Sequence, residues 1–212
     1  MTLSKICGLS TEKAVASATA AGAAYIGFLF FSPSPRDVDP ARAARLAAPA
    51  RGKAKIVAVM VDPDNEALER IERLLAPDLI QLHGKETPQR VADIRGRVAA
   101  GLIKAAPVSE AADIAQARIF EDLADHLMFD ARPPSGSSLP GGMGASFDWT
   151  LLAGKRFARP WFLAGGLDPW NVAEAVRLSG APMVDVSSGV ERGAGLKDPA
   201  LILSFLEAVR RT

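Results

Sequence analysis

Cys7, Arg36, His83 and Asp130 have side chains that can move a proton or answer a charge, and each follows a short apolar run. Cys7 is the only cysteine in the chain, set between the run Leu3–Ile6 and Gly8. A lone thiol there has two readings: a small buried hydrophobe, or a reactive group at a strand end facing a ligand. Arg36 follows Pro33 and Pro35, which stiffen its segment. A guanidinium held that way can grip a carboxylate through two parallel hydrogen bonds. His83 closes the run Leu79–Leu82 and reads as a ligand, a proton donor or a satisfied strand-end histidine. His126 begins a run rather than ending one, and is given no role.

Further polar and glycine residues fall at the ends of the last two apolar runs. Gly165 and Gly166 follow Trp161–Leu163, while Ser187, Ser188 and Gly189 follow Met183–Val186, a run that also contains Asp185. Paired glycines let backbone N–H groups approach an anion closely, and hydroxyls add donors. Tight turns use the same residues. Both sets together, in the last two positions of the pattern, point to phosphate, with Gly189–Gly193 starting a short helix or turn.

These placements matter only if the chain brings the run ends together. Eight runs read as strands: Leu3–Cys7, Tyr25–Phe30, Lys55–Val61, Leu79–Leu82, Gly101–Lys104, His126–Phe129, Trp161–Leu163 and Met183–Val186. Their near-continuous apolar character suits parallel strands buried on both faces. Helical patterns separate most of them: Thr11–Ala21, Pro40–Ala47, Asn65–Leu75, Pro88–Ile94, Ser109–Phe120, Pro169–Leu178 and Pro199–Arg210, with a short stretch at Asp148–Ala153. Ser10 and Asp39 stand at N-cap positions, and Asp168 and Asp198 each precede a proline suited to a first helical position. Asp62 and Asp64 are assigned to initiation of the third helix. The alternation predicts a parallel α/β fold. An open doubly wound sheet competes with a closed (β/α)8 barrel. The count of eight, and the lack of G-x-G-x-x-G after the first strand, favour the barrel. In a barrel all the named run ends face one mouth. The Pro/Gly/Ser stretch Arg132–Gly144 reads as a lid over that mouth.

With 212 residues, 49% hydrophobic and 23% charged, the chain is expected to form one globular domain, residues 1–212. One cysteine excludes an internal disulfide, and no Cys/His cluster has metal-ligand spacing, so a reducing cytoplasm is the expected setting and no metal is called for. A net charge of +1 gives no basic field for nucleic acid. No apolar run is long enough for a membrane span, and the first residues lack a signal-peptide core.

The segments KICGLS, GFLFFSPSPR, DLIQLHG, GGMGASFDW, FLAGGLDPWNV and VDVSSGVERGAGLKD, in this order and over nearly the whole chain, resemble the phosphoribosylanthranilate isomerase family of tryptophan biosynthesis. The resemblance implies a (β/α)8 barrel of the ribulose-phosphate-binding type that works without a cofactor. The implied reaction is an Amadori rearrangement of N-(5-phosphoribosyl)anthranilate to 1-(2-carboxyphenylamino)-1-deoxyribulose 5-phosphate. It further implies Cys7 as general base, Asp130 as general acid and Arg36 at the anthranilate carboxylate. Gly165, Gly166, Ser187, Ser188 and Gly189 would hold the phosphate, with His83 and Asp185 also at the substrate. The implied partner is the phosphosugar alone, for a monomer or homodimer.

Such a reaction needs a carboxyl group in its acid form for the ribose ring oxygen, and a base for the C2 proton acidified by the adjacent iminium. A free thiol ionises near pH 8.5, so a thiolate-stabilising neighbour is expected. Lys5 lies two residues before Cys7 and shares its side of the strand. In a closed barrel strand eight adjoins strand one, which predicts a buried Lys5–Asp185 pair. That pair is either purely structural or leaves a positive field beneath the thiol. Three rivals compete. Another aminoaldose-phosphate isomerase of this barrel type would be expected to use paired aspartates. An indole-glycerol phosphate synthase would need a lysine acid that has no match here. A non-catalytic phosphosugar-binding barrel would bind without turnover.

Overall fold

In the computed structural model, which describes residues 1–132 and 144–212, consecutive residues of each strand alternate between two separate apolar clusters. In Lys55–Met60 (β3), Ile56, Ala58 and Met60 face outward, where helices cover the strands, whereas Val57 and Val59 face inward. Period-two alternation in a run apolar on both faces buries one face against helices and the other against the opposite strands. The inner cluster is small and includes Met128, Phe162, Ala164, Met183 and Cys7.

The strands are Leu3–Ile6 (β1), Tyr25–Phe30 (β2), β3, Leu79–Leu82 (β4), Gly101–Val108 (β5), His126–Ala131 (β6), Trp161–Leu163 (β7) and Met183–Val186 (β8). They close in sequence order into a parallel barrel, β8 pairing with β1. The expected (β/α)8 architecture is therefore present, and the open sheet is excluded. Helices Glu12–Ala20 (α1), Pro40–Ala47 (α2), Asn65–Leu75 (α3), Pro88–Arg95 (α4), Ala111–Ala117 (α5), Val172–Ser179 (α6) and Pro199–Arg210 (α7) ring it. Among the described residues a 3-10 turn, Trp149–Leu152, stands between β6 and β7, capped by Asp148. A further 3-10 turn, Ser188–Val190, follows β8. It leads into a hairpin of Glu191–Gly193 (β9) and Leu196–Lys197 (β10) that the sequence reading had as a helix or turn.

Several boundaries differ from expectation, each for a local reason. Thr11, not Ser10, caps α1, its hydroxyl accepting from Ala14 N at 3.3 Å. Strand β5 continues four residues past Lys104, because β6 offers it pairing through Ala131. Pro169 does not begin a helix. The Asp168 carboxylate accepts from Trp170 N and Asn171 N, forming a local turn that delays α6 to Val172. Asp64 caps α3 as expected, accepting from Ala67 N at 2.8 Å. Asp62 does not: at φ 46° it lies in the left-handed region and its carboxylate accepts from Lys85 N, tying the loop after β3 to the loop after β4. The predicted lid, Arg132–Gly144, falls outside the described residues except at its two ends. Among the described residues no helix is long and apolar enough to cross a membrane.

Candidate active site

The alternation that fills the barrel also selects the residues of its mouth. Lys5 on β1 and Cys7 just after it, Gln81 on β4 and His83 just after it, Asp130 on β6 and Asp185 on β8 all keep the inward phase of their strands. Cys7, His83, Asp130, Arg36, Asp185 and Ser187 share the wall of one recess there. The two readings of Cys7 merge: it is 8% exposed and packed with the inner cluster, and it faces the cavity.

Below Cys7, Lys5 pairs in register with Asp185, and Lys5 Nζ donates to Asp185 Oδ1 at 2.9 Å. Both are buried, as the closure of β8 on β1 predicts. Gly27 on β2 makes room for them: a Cβ there would stand 3.1 Å from Cys7 Sγ and 3.2 Å from Lys5 Nζ. Burial opposes the charge on Lys5, but Asp185 and Cys7 outweigh it and its pKa rises. The expected thiolate-stabilising neighbour is present in Lys5, but it does not prevail. Burial pushes the Cys7 thiol up, Lys5 pulls it down, Asp185 pushes it up again, and the net shift is upward. The carboxylate that holds Lys5 in place also cancels much of the field it would lend the sulfur.

Across the mouth, His83 Nε2 lies 3.1 Å from Asp130 Oδ2, and Gln81 Nε2 lies 2.8 Å from His83 Nδ1. The imidazole thus bridges an amide and the proposed acid. An amide N–H donated to Nδ1 leaves Nε2–H to donate to the carboxylate. When Asp130 is the acid, its O–H donates to Nε2, and Nδ1–H then needs the amide oxygen. Gln81 Oε1 is buried without a hydrogen-bond partner, while Gln81 Nε2 also donates to Met128 Sδ at 3.3 Å, a bond that turning the amide over would give up. The sequence reading assigned Gln81 nothing. Its spacing of two from His83 puts both on one side of β4 and was the available signal.

Arg36 is almost fully buried and grips a carboxylate side-on, that of Glu191. Nε donates to Glu191 Oε1 at 2.8 Å and Nη2 to Glu191 Oε2 at 2.9 Å. Burial pushes the Glu191 carboxyl up, but Arg36 and Lys197 outweigh it and hold its pKa low. Gly8, at φ 73°, lets the arginine pass, because a Cβ there would lie 2.8 Å from Arg36 Cδ. Gly8→Ala is expected to cost at least about 1–2 kcal/mol from the left-handed backbone alone. Displacement of Arg36 should add to this, lowering the urea midpoint and weakening analogue binding together.

The anion candidates divide. Gly166, Ser188 and Gly189 line a second, more open recess beside Arg36, together with Asp168 and Arg192. Gly189 has no room for a side chain, since a Cβ would run into the Leu167 carbonyl. Gly165 and Gly166 sit at φ 89° and 64°, a conformation that turns successive backbone groups in a way few other residues permit. Gly165 itself packs on the backbone of Ala131. Ser187 faces the inner recess with Cys7, and its hydroxyl meets Lys197 Nζ at 3.2 Å. Asp185 is taken up by Lys5 although it also reaches the recess wall. Among the described residues no group of three or more His, Cys, Asp or Glu side chains is placed to hold a metal ion.

A family model described as N-(5′-phosphoribosyl)anthranilate (PRA) isomerase matches residues 4–208. A curated N-(5′-phosphoribosyl)anthranilate isomerase of Caulobacter sp. (strain K31) is 64% identical over 212 residues, covering 100% of both chains. The crystal structure of phosphoribosyl anthranilate isomerase from Thermotoga maritima superposes with a TM-score of 0.89 at 30% identity, covering 100% of both chains. A phosphoribosyl anthranilate isomerase solved in complex with reduced 1-(o-carboxyphenylamino)-1-deoxyribulose 5-phosphate superposes at 0.86 with 29% identity, again covering 100% of each chain.

Proposed function

The chain belongs to the N-(5′-phosphoribosyl)anthranilate isomerase family, and on that premise we propose that it converts N-(5-phosphoribosyl)anthranilate to 1-(2-carboxyphenylamino)-1-deoxyribulose 5-phosphate in tryptophan biosynthesis. The observation that carries the reading is the shared recess in which a thiol on β1 and a carboxyl on β6 look across the barrel mouth.

Asp130 in its acid form gives a proton to the ribose ring oxygen. The C1–O bond breaks and the nitrogen lone pair forms the C1=N iminium. Cys7 as thiolate removes the proton from C2, and the electrons of that C–H bond form C1=C2 while the iminium is neutralised to an enamine. Ketonisation then moves the C2 hydroxyl proton out and places a proton on C1. His83, bonded to Asp130, orients the carboxyl and shares its proton. Arg36, held side-on by Glu191, meets the anthranilate carboxylate. The N–H groups and hydroxyls at Gly166, Ser188 and Gly189 take the phosphate, with Arg192 adding charge at the same recess and Gly165 shaping the turn from beside it. Ser187 and Asp185 act from the inner recess. No cofactor enters any step.

The test is turnover by the purified chain of N-(5-phosphoribosyl)anthranilate, with the aminoaldose phosphate of histidine biosynthesis as comparison. We expect consumption of the first at kcat/KM at least about 10⁴ M⁻¹s⁻¹, the lower end of ordinary enzymes. Comparable turnover of the second would favour the broader isomerase reading. Binding of the reduced product without turnover of either substrate would favour the non-catalytic barrel.

A further inference from the structure

The Arg36 guanidinium does not stand alone. Lys197 Nζ donates to Glu191 Oε1 at 2.6 Å, to Ser187 O at 2.9 Å and to Ser187 Oγ at 3.2 Å. The side chains of Arg36, Glu191 and Lys197 are 7%, 4% and 2% exposed, so solvent screens this chain of charges little. Glu191 and Lys197 face each other across the β9–β10 hairpin in register, and Asp198 N donates to Val190 O to close it. Gly195 N also donates to Glu191 Oε2, so the carboxylate is held at both oxygens. A hairpin outside the barrel sheet thus ends in a salt bridge at the catalytic mouth.

A substrate carboxylate next to an isolated buried arginine would meet a mobile group that is costly to bury. A glutamate alone would fix the arginine but neutralise it. Adding a lysine on Oε1, the oxygen that Arg36 Nε also bonds, restores one net positive charge to the trio while keeping the guanidinium fixed.

We propose that Glu191 and Lys197 are positioning residues for substrate recognition: the β9–β10 hairpin clasps Arg36 in the orientation that receives the aryl carboxylate and keeps that place at net charge +1. The inference rests on the reading of Arg36 as the carboxylate contact, and the experiment separates the two. Affinities are measured for two probes, the reduced product 1-(2-carboxyphenylamino)-1-deoxyribulose 5-phosphate and its phenylamino counterpart without the carboxyl group. Their ratio reports the carboxyl's contribution alone.

Arg36→Met should collapse the ratio. If it does not, the reading of Arg36 fails, and the clasp with it. Glu191→Gln and Lys197→Met should each lower the ratio about tenfold, the size of one lost charge-assisted hydrogen bond, with binding of the carboxyl-free probe nearly unchanged. Glu191→Asp keeps the charge but withdraws it by one methylene. It should give a smaller loss in the same direction, and it carries the test if the glutamine variant does not fold. If Arg36→Met collapses the ratio while the Glu191 and Lys197 variants leave it intact, or weaken both probes equally, the hairpin is structural only and the proposal is overturned.

Discussion

Cys7→Ala and Asp130→Asn are each expected to lower kcat by about 10²–10⁴-fold, the usual worth of a positioned acid or base, while affinity for the reduced product analogue changes little. The reason is spatial. Cys7 and Asp130 reach the recess from strands on different sides of the barrel, and the proposed phosphate residues Gly166, Ser188 and Gly189 stand in the adjoining recess on other loops. Removing either group takes away a proton transfer without touching the phosphate contacts. Steady-state kinetics together with analogue titration read the two effects separately. Near-wild-type turnover in Cys7→Ala would end the base assignment, and loss of analogue binding in both variants would show that the two residues hold the fold instead. The double variant should be scarcely worse than the poorer single one, because acid and base serve one sequence of steps.

Lys5→Met is expected to destabilise the fold by about 3–5 kcal/mol, since it strands Asp185 as an uncompensated buried charge. Adding Asp185→Leu should restore most of that loss, and chemical denaturation of the single and double variants checks it. The same substitution has a chemical consequence. Lys5 is the main group holding the thiol down against burial, so without it Cys7 should titrate at still higher pH. In the unaltered chain the thiol already ionises above its ordinary value, so the base form is the minority near neutrality. The expected result is that alkylation of Cys7, whose rate climbs about tenfold per pH unit until the thiol ionises, has this limb moved to higher pH in Lys5→Met. A limb that stays put removes Lys5 from the electrostatics of the site. The linkage has the same sign for stability. An unfolded thiol ionises before the folded one, so this contribution is complete below the unfolded value, near pH 8.5, and fades as pH rises through the folded one.

The barrel and the inward placement of Cys7 were legible because both follow from short-range rules, whereas the roles proposed for Cys7 and Asp130 came from the family resemblance. Strand phase puts Lys5 and Cys7 on one face, and eight strand–helix alternations leave few closures. The Lys5–Asp185 contact could be anticipated from the adjacency of first and last strands, which only a closed barrel creates. The anion residues were recognisable by type, but their division between two recesses depends on how the loops after β7 and β8 pack, with Gly189 against the Leu167 carbonyl.

What the amino-acid order determined by itself was periodicity and chain order, and hence the strands, their burial and the mouth at which Cys7, His83 and Asp130 converge. Only the tertiary structure decided who partners whom. It gave Asp62 to Lys85 instead of to a helix, Gln81 to His83, and Arg36 to Glu191. It also decided that burial and Asp185 together outweigh Lys5 at the thiol. Those outcomes depend on distances between residues far apart in sequence and on how completely water is excluded around them. Neither quantity is set until the barrel has closed.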